Sequence, residues 1–356
     1  MLLILLVACQ SDAARGPITK TGSKSVPLRT TPLGAGYEAG DAWFDIYFTN
    51  PASPLASQYS GGVDGPLASA IDRARLSVDV AAYRFDSFPL RRALLRASDR
   101  GVRVRLVVEA NESDSSDIQA LGAAGVPIVP DGPDGLMHNK FMILDGREVW
   151  TGSMNFTASG TYHDSNNMVR LISPELAAAY VGEFEEMFLD RRFGPDFVPS
   201  TTPTRTMIGD TQVTVYFSPD DGIATELDDL IRGATESVNF LAFSFTSDVL
   251  GKAMRDRAAA GVTVRGVMDA DQAVSNQGTE YDEFRQASLD VYKDSLEGQM
   301  HQKVLIIDEE IVVTGSYNFS ASAEYRNDEN ILVIRDARIA AVYLAEFWRI
   351  YEAARQ

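Results

Sequence analysis

Hydrophobic and polar positions alternate between two periods along this chain, and the alternation occurs twice. Residues 68–74 and 226–234 carry apolar side chains at helical spacing, and each run leads into an apolar strand, 77–83 and 237–243. Helical spacing returns over 90–100 and 249–260 and stops at Gly101 and Gly261, the residue type that closes a helix by adopting positive φ. Strands are expected at 102–109 and 262–269, then as pairs at 139–145 with 148–152 and 302–308 with 311–315. The pairs turn at Asp145-Gly146 and at Asp308-Glu309-Glu310. A long helix closes each block, 174–190 and 337–353. This order predicts a mixed α/β sheet covered by helices, built twice.

The two blocks are copies of one unit. Ser77-Val-Asp-Val-Ala-Ala-Tyr-Arg-Phe85 aligns with Ser237-Val-Asn-Phe-Leu-Ala-Phe-Ser-Phe245, and Gly152-Ser-Met-Asn-Phe156 with Gly315-Ser-Tyr-Asn-Phe319. The halves are placed at 42–200 and 208–355, joined through Pro199-Ser-Thr-Thr-Pro-Thr204. They are expected to pack about a pseudo-twofold axis and to share one active site. Residues 1–9 read as a lipoprotein-type signal: a short apolar run ends in Leu6-Val7-Ala8-Cys9, far short of the ~20 residues that span a bilayer. Residues 10–41, rich in Thr, Gly, Ser and Pro, read as a flexible tether. The expected address is therefore exported, either anchored to a membrane through Cys9 or released outside the cytoplasm.

Composition narrows the chemistry. With 50 acidic against 32 basic residues the formal charge is −18, which disfavours loose binding to polyanions. One cysteine excludes an internal disulfide and any cysteine-based zinc site. Metal-ligand spacings and glycine-rich phosphate loops are absent, so no cofactor is expected. There are only three histidines, and two of them sit at matching positions in the duplication.

His138-Asn139-Lys140 is followed by Asp145, and His301-Gln302-Lys303 by Asp308. Residues two apart on a strand share a face, so each His projects with its Lys while the residue between packs behind. Ser153 with Asn155, and Ser316 with Asn318, repeat that logic downstream. This arrangement resembles the phospholipase D superfamily, whose signature is His-x-Lys-x4-Asp followed by Gly-Ser-x-Asn. The resemblance covers residues 42–350. It implies metal-independent cleavage of a phosphodiester through a phosphohistidine intermediate. One imidazole attacks phosphorus and the other protonates the leaving alkoxide, with His138 the nucleophile and His301 the acid in the order the family implies; the reverse order satisfies the sequence equally. Lys140, Lys303, Ser153, Ser316, Asn155 and Asn318 are expected to hold the phosphoryl oxygens.

Asp145 and Asp308 lie at an odd spacing from the histidines, which turns them off the His/Lys face, and the resemblance implies that they are structural, making ion pairs or turn hydrogen bonds rather than acting on substrate. Glu329 follows His301 at the place where the family carries a carboxylate that orients a catalytic histidine, and Asn166 stands there in the first copy. One carboxylate-supported and one amide-supported histidine follow, with Asp164 as a substitute for Asn166 if its loop shifts and otherwise a solvated charge. His163 reads as a surface residue, and Asp269, Asp271, Asp114 and Asp117 as solvated loop charges. Tyr83, Phe85, Phe243 and Phe245 either line the cleft or fill the core.

The expected substrate is a phospholipid head-group diester met at a membrane surface, with no obligate protein partner. A nuclease of the same chemistry is the first alternative, because scattered arginines can gather into a groove on folding. A non-catalytic lipid-binding lipoprotein is the second. A cardiolipin-synthase-like transferase is disfavoured, since such enzymes carry N-terminal membrane spans and no stretch here has that length.

Overall fold

A computed structural model describes residues 28–196 and 203–356; the expected signal segment, most of the expected tether and residues 199–202 of the connecting segment lie outside them. The first half contains β1 (Arg29–Leu33), β2 (Gly36–Gly40), β3 (Phe44–Thr49), α1 (Asp64–Arg73), β4 (Ser77–Ala82), α2 (Phe88–Asp99), β5 (Arg103–Val108) and α3 (Ser116–Ala123). It continues through β6 (Ile128–Pro130), β7 (Lys140–Leu144), β8 (Glu148–Gly152), α4 (Ala158–Tyr162), β9 (Asn167–Ile172) and α5 (Pro174–Phe188). The second half contains β10 (Thr204–Ile208), β11 (Thr211–Ser218), α6 (Ile223–Gly233), β12 (Ser237–Ala242), α7 (Asp248–Ala259), β13 (Thr263–Met268), α8 (Gln272–Ser275) and α9 (Tyr281–Gln286). It closes with β14 (Asp290–Lys293), β15 (Lys303–Ile307), β16 (Ile311–Gly315), α10 (Ala321–Tyr325), β17 (Glu329–Arg335) and α11 (Ala337–Ala354).

Among the described residues the sheets run β1-β2-β3-β9-β8-β7-β4-β5-β6 and β10-β11-β17-β16-β15-β12-β13-β14. In each, the strand after the first long helix is central, pairing parallel to one neighbour and antiparallel to the motif strand. Its side chains are almost wholly buried, which explains its continuous apolar run. Gly101 and Gly261 close α2 and α7 at φ +81° and +93°, as their sequence position predicts. Ser173 caps α5 by accepting from the Leu176 N–H, with Pro174 in the first turn.

Three apolar layers result. Outer cores lie between each sheet and its covering helices, α1 and α2 in one half, α6 and α7 in the other. The largest core is shared: α5 and α11 pack with the inner faces of both sheets. Aromatic pairs cross it, Tyr180 with Phe217 at 5.2 Å and Phe48 with Tyr343 at 5.2 Å.

One expectation fails. Residues 29–40, read as tether, form the β1–β2 hairpin at the edge of the first sheet. That hairpin reaches the other half, where the Tyr37 hydroxyl donates to the buried Glu346 carboxylate on α11. Arg338 of α11 also pairs with Asp41 at 3.2 Å. The segment is a strap across the duplication.

Polar side chains fill the seam between the halves. Asn330 Nδ2 donates to Asn139 Oδ1 at 2.7 Å, and Asn330 Oδ1 accepts from Thr151 and Tyr180 at 2.8 and 3.1 Å. Asn167 mirrors it, donating to Gln302 at 3.3 Å and accepting from Thr314 and Tyr343 at 2.7 and 3.3 Å. Asn330→Ala leaves three buried groups unpaired at about 1–3 kcal/mol each. A loss of about 3–5 kcal/mol is expected from the urea midpoint, while a loss below about 1 kcal/mol would show that water replaces the amide.

Candidate active site

The motif strands β7 and β15 each begin one residue past a histidine's neighbour, so His138 and His301 sit just ahead of the sheet at the seam. Their position is fixed by backbone from the opposite half. His138 N–H donates to the Asp328 carbonyl at 3.0 Å, and Asp328 N–H returns to Leu136 at 2.9 Å. His301 N–H donates to the Ser165 carbonyl at 2.9 Å, and Ser165 N–H returns to Gln299 at 2.7 Å. Each histidine thus pairs with the residue just before the other half's Glu329 or Asn166.

The side chains follow the same cross. His138 Nδ1 meets Glu329 Oε2 at 2.7 Å, whereas His301 Nδ1 meets Asn166 Oδ1 at 3.0 Å and the Ser153 carbonyl at 3.1 Å. All of these partners are acceptors, so Nδ1 carries the hydrogen and Nε2 is left free on each ring. The carboxylate and the amide expected from sequence are both present, each serving the histidine of the other copy.

Lys140 Nζ donates to its own motif's His138 carbonyl at 2.6 Å, and Lys303 Nζ to the His301 carbonyl at 2.7 Å. Tyr83 and Phe243 line the site: their ring centroids lie 4.6 Å from the two imidazoles and 4.8 and 4.7 Å from the two ammonium nitrogens. Phe85 and Phe245 pack in the core instead.

The serines take a different place from the one expected. Ser153 and Ser316 are fully buried. Ser153 Oγ donates to Asn166 Oδ1 at 2.8 Å and accepts from Asn167 N–H at 3.1 Å; Ser316 Oγ accepts from Asn330 N–H at 3.0 Å. Through these hydrogen bonds they brace the strands that carry Asn166 and Glu329. Asn155 and Asn318 are only partly buried, and the amide oxygen of each has no partner, which leaves these two amides for a bound group.

Asp145 accepts from the N–H groups of Arg75, Leu76 and Ser77. Asp308 does the same for Thr235, Glu236 and Ser237, so each holds the turn into the central strand. His163 is exposed and hydrogen-bonded to the Tyr59 hydroxyl at 2.9 Å. Asp164 and Asp269 are not solvated charges: Asp164 accepts from Gln299 N–H at 3.3 Å and Asp269 from Met300 N–H at 3.1 Å, and burial raises both pKa values. Asp117 pairs with Arg91 at 2.7 Å.

Sequence reasoning missed the polar residue inside each motif, Asn139 and Gln302, as a seam contact. It also read Asp269 as a solvated loop charge and passed over Glu109, Asp131 and Asp294, the other carboxylates that end the neighbouring strands. Their signal was present, since Asp131 and Asp294 recur at the histidines' own spacing of 163 residues.

Burial dominates the electrostatics. It pushes His138 down to about 4, against the pull of Glu329, and drives His301 well below its ordinary value with the two lysines adding to the effect. Lys140 falls to about 7 and Lys303 well below its ordinary range, again through burial. Four basic groups are thus held towards neutrality in one place. Among the described residues no group of three or more His, Cys, Asp or Glu is arranged to hold a metal ion.

A duplicated α/β fold thus brings two histidine–lysine pairs together at its seam. The chain belongs to the phospholipase D superfamily: the family described as "Cardiolipin synthase, PLD-like domain" matches residues 67–188 and again 227–351. A phospholipase D of Rickettsia bellii (strain RML369-C) is 35% identical over 133 residues, 37% of this chain and 66% of that protein. A mitochondrial cardiolipin hydrolase of Mus musculus is 35% identical over 122 residues, 34% of this chain and 55% of that protein. The chain therefore spans about two thirds or less of the curated relatives it matches. The solved phosphatidylserine synthase of Haemophilus influenzae Rd KW20 shares the fold, with TM-score 0.61 and 12% identity over 82% of this chain and 84% of that one.

A pH prediction follows from His138. Its folded value near 4 lies below the ordinary 6.5, so the unfolded chain takes the proton first as pH falls. Stability is unaffected above about pH 6.5 and is lost below it at about 1.4 kcal/mol per unit, roughly 3 kcal/mol by pH 4. Acidification should therefore destabilise the native chain by about 2–3 kcal/mol more than His138→Asn, read as urea midpoints at about pH 7.5 and 4.5. Equal losses would mean that His138 is not held neutral.

Proposed function

We propose that this chain is a phospholipase D-type phosphodiesterase that cleaves head-group diesters of phospholipids. The observation that carries this reading is the pair of free imidazole nitrogens, each locked from the opposite half, beside two buried ammonium groups. The phosphate's charge draws protons back onto Lys140, Lys303 and His301. His138 Nε2 attacks phosphorus, forming the N–P bond as the bond to the leaving oxygen breaks, and His301 Nε2 gives that oxygen its proton. His301 then takes a proton from water; the hydroxide attacks phosphorus, the N–P bond breaks, and His138 is regenerated.

The order of roles rests on where charge develops. His138 gains positive charge as it attacks, and the Glu329 carboxylate at 2.7 Å stabilises that change. His301 loses positive charge, and a neutral amide at 3.0 Å leaves its imidazolium a strong acid. Substitution of either histidine by asparagine is expected to lower kcat by about three orders of magnitude or more, with the double variant no worse than the worse single one. Rapid acid-free quenching should trap a phosphohistidine that maps to residue 138. A phosphopeptide at 301 would reverse the roles, and residual activity above about a tenth in either variant would end the shared-site reading.

Lipid is favoured over nucleic acid by the cleft beside Asn155. A cavity of about 390 Å³ opens there, lined by Asp164, Asp269, Asp271, Asp294 and Glu297 against Arg84 and His163. Such a wall repels a polyanion, whereas a single head-group phosphate meets only the two lysines. The names of the relatives, phospholipase D and cardiolipin hydrolase, support the same substrate class. With mixed phospholipid micelles and single-stranded DNA competing at physiological salt, lipid turnover should dominate. Faster DNA cleavage that disappears in His138→Asn would make the protein a nuclease.

The export address is part of the same proposal, resting on Leu6-Val7-Ala8-Cys9. Cys9→Ser should move the protein from the membrane to the soluble fraction, and an unlipidated, unprocessed N-terminus in the mature protein by mass spectrometry would reject it.

A further inference from the structure

The residue ahead of each histidine is a fully buried methionine whose N–H points at carboxyl groups from the two neighbouring parallel strands. In the first half Glu109 follows β5 and Asp131 follows β6. Met137 N–H donates to both, at 3.1 Å to Glu109 Oε2 and 2.9 Å to Asp131 Oδ2. Their other oxygens accept from Asn111 Nδ2 at 2.9 Å and Ala110 N–H at 2.6 Å. The second half is built differently. Met300 N–H donates to Asp269 alone, while Asp294 accepts from Ala270 and Leu296 at 2.7 and 2.8 Å.

Two carboxyl groups that meet on one N–H, one of them 3% exposed, repel each other when both are ionised, and burial with the Asp131 contact raises the Glu109 carboxyl above its ordinary value, which favours one proton held by the pair. Their surroundings hold that proton in place. Tyr83 from the end of β4 faces Glu109, with the Glu112–Arg84 pair on the tyrosine's side, Asp328 from the second half faces Asp131, and among the described residues neither carboxyl forms an ion pair. Met137 bridges to Asp328, and His138 N–H takes the Asp328 carbonyl, so a shift of Met137 moves the imidazole directly.

We propose that Glu109 and Asp131 are positioning residues that share one proton to clamp Met137 and thereby aim His138, and that loss of this proton releases the clamp and lowers turnover. Burial and the Asp131 contact, which push Glu109 up to about 7, place the release in the neutral range. His301, held through one carboxylate, has no such device. The inference rests on the phosphodiesterase reading for its kinetic arm only.

Two readouts test it. Turnover of bis(p-nitrophenyl) phosphate, followed from about pH 5.5 to 9, should fall above about pH 7 in the native chain through kcat rather than KM. Glu109→Ala should lower kcat about tenfold with KM changed less than about threefold, and Glu109→Gln, which mimics the protonated acid, should recover most of that loss and abolish the alkaline fall. The ring signal of His138, assigned among only three histidines by its absence in His138→Asn, should shift near pH 7 in the native chain, and Glu109→Gln should remove the part of that shift that Lys140→Arg leaves in place. An alkaline fall in kcat that persists in Glu109→Gln, or a ring shift that Lys140→Arg alone abolishes, assigns the titration to Lys140 and overturns the proposal. No turnover by the native chain defeats the function reading, and the ring titration still decides the clamp.

Discussion

Everything at the seam depends on one exchange: the backbone of each histidine is paired with the strand lead of the opposite half. The hydrogen bonds from His138 to Asp328 and from His301 to Ser165 place each imidazole within reach of a partner that its own copy does not contain. Neither half alone orients its histidine, because Glu329 and Asn166 arrive only with the other sheet. The buried amides of Asn167 and Asn330 fit the same logic. Apolar residues there would pack as well, but reciprocal amide bonds are satisfied in one register only, so they fix how the sheets meet.

That burial has an electrostatic consequence. The protein carries a formal charge of −18, yet its seam gathers two lysines and two histidines out of water. Desolvation moves all four towards neutrality, and only Glu329 among their contacts opposes it for His138. Holding two lysines below their ordinary range costs the fold stability at neutral pH, because the unfolded chain keeps those protons. In the proposed reaction the substrate phosphate would oppose that desolvation, because its negative charge favours the protonated form of groups that are already placed.

Most of the scaffold was legible because local chemistry decides it. Gly101 and Gly261 mark helix ends, and the apolar runs over 77–82 and 237–242 mark central strands, whatever lies elsewhere. Both motif strands could be read from spacing, and a structural role for Asp145 and Asp308 from the family resemblance, with the fold choosing turn hydrogen bonds over ion pairs. The β1–β2 hairpin could not. Its Thr, Pro and Gly residues lie at a sheet edge with mixed exposure, so no alternating pattern separates it from a linker. The pairing of His138 with Glu329 spans 191 residues and that of His301 with Asn166 spans 135, and no local rule sets the register between halves. The serines misled for a related reason: their strand face was correctly read, but Asn166 and the two amide N–H groups that claim the hydroxyls come from a strand whose register only the fold defines.

The duplication is symmetric in backbone and asymmetric in charge, and the asymmetries fall on consistent sides. Glu346 on α11 lies against Arg349 at 2.7 Å, Gln302 at 2.9 Å and Tyr37, so the second half's buried carboxylate anchors the strap. At the matching place in the first half, Glu183 has Glu186 where the arginine would be, and burial drives its carboxyl well above the usual range. Asn139 replaces Gln302 there, one methylene shorter, and its Nδ2 has no partner. The histidines divide in the same manner. Identical carboxylate support would hold both imidazoles' protons equally tightly, and a phosphodiester needs one ring that accepts positive charge and another that gives it up. In the proposed reaction an amide in place of the second carboxylate would weaken the hold on the His301 proton while leaving its Nδ1–H anchored, so the exchange of one side chain would separate the two proposed roles without moving either ring.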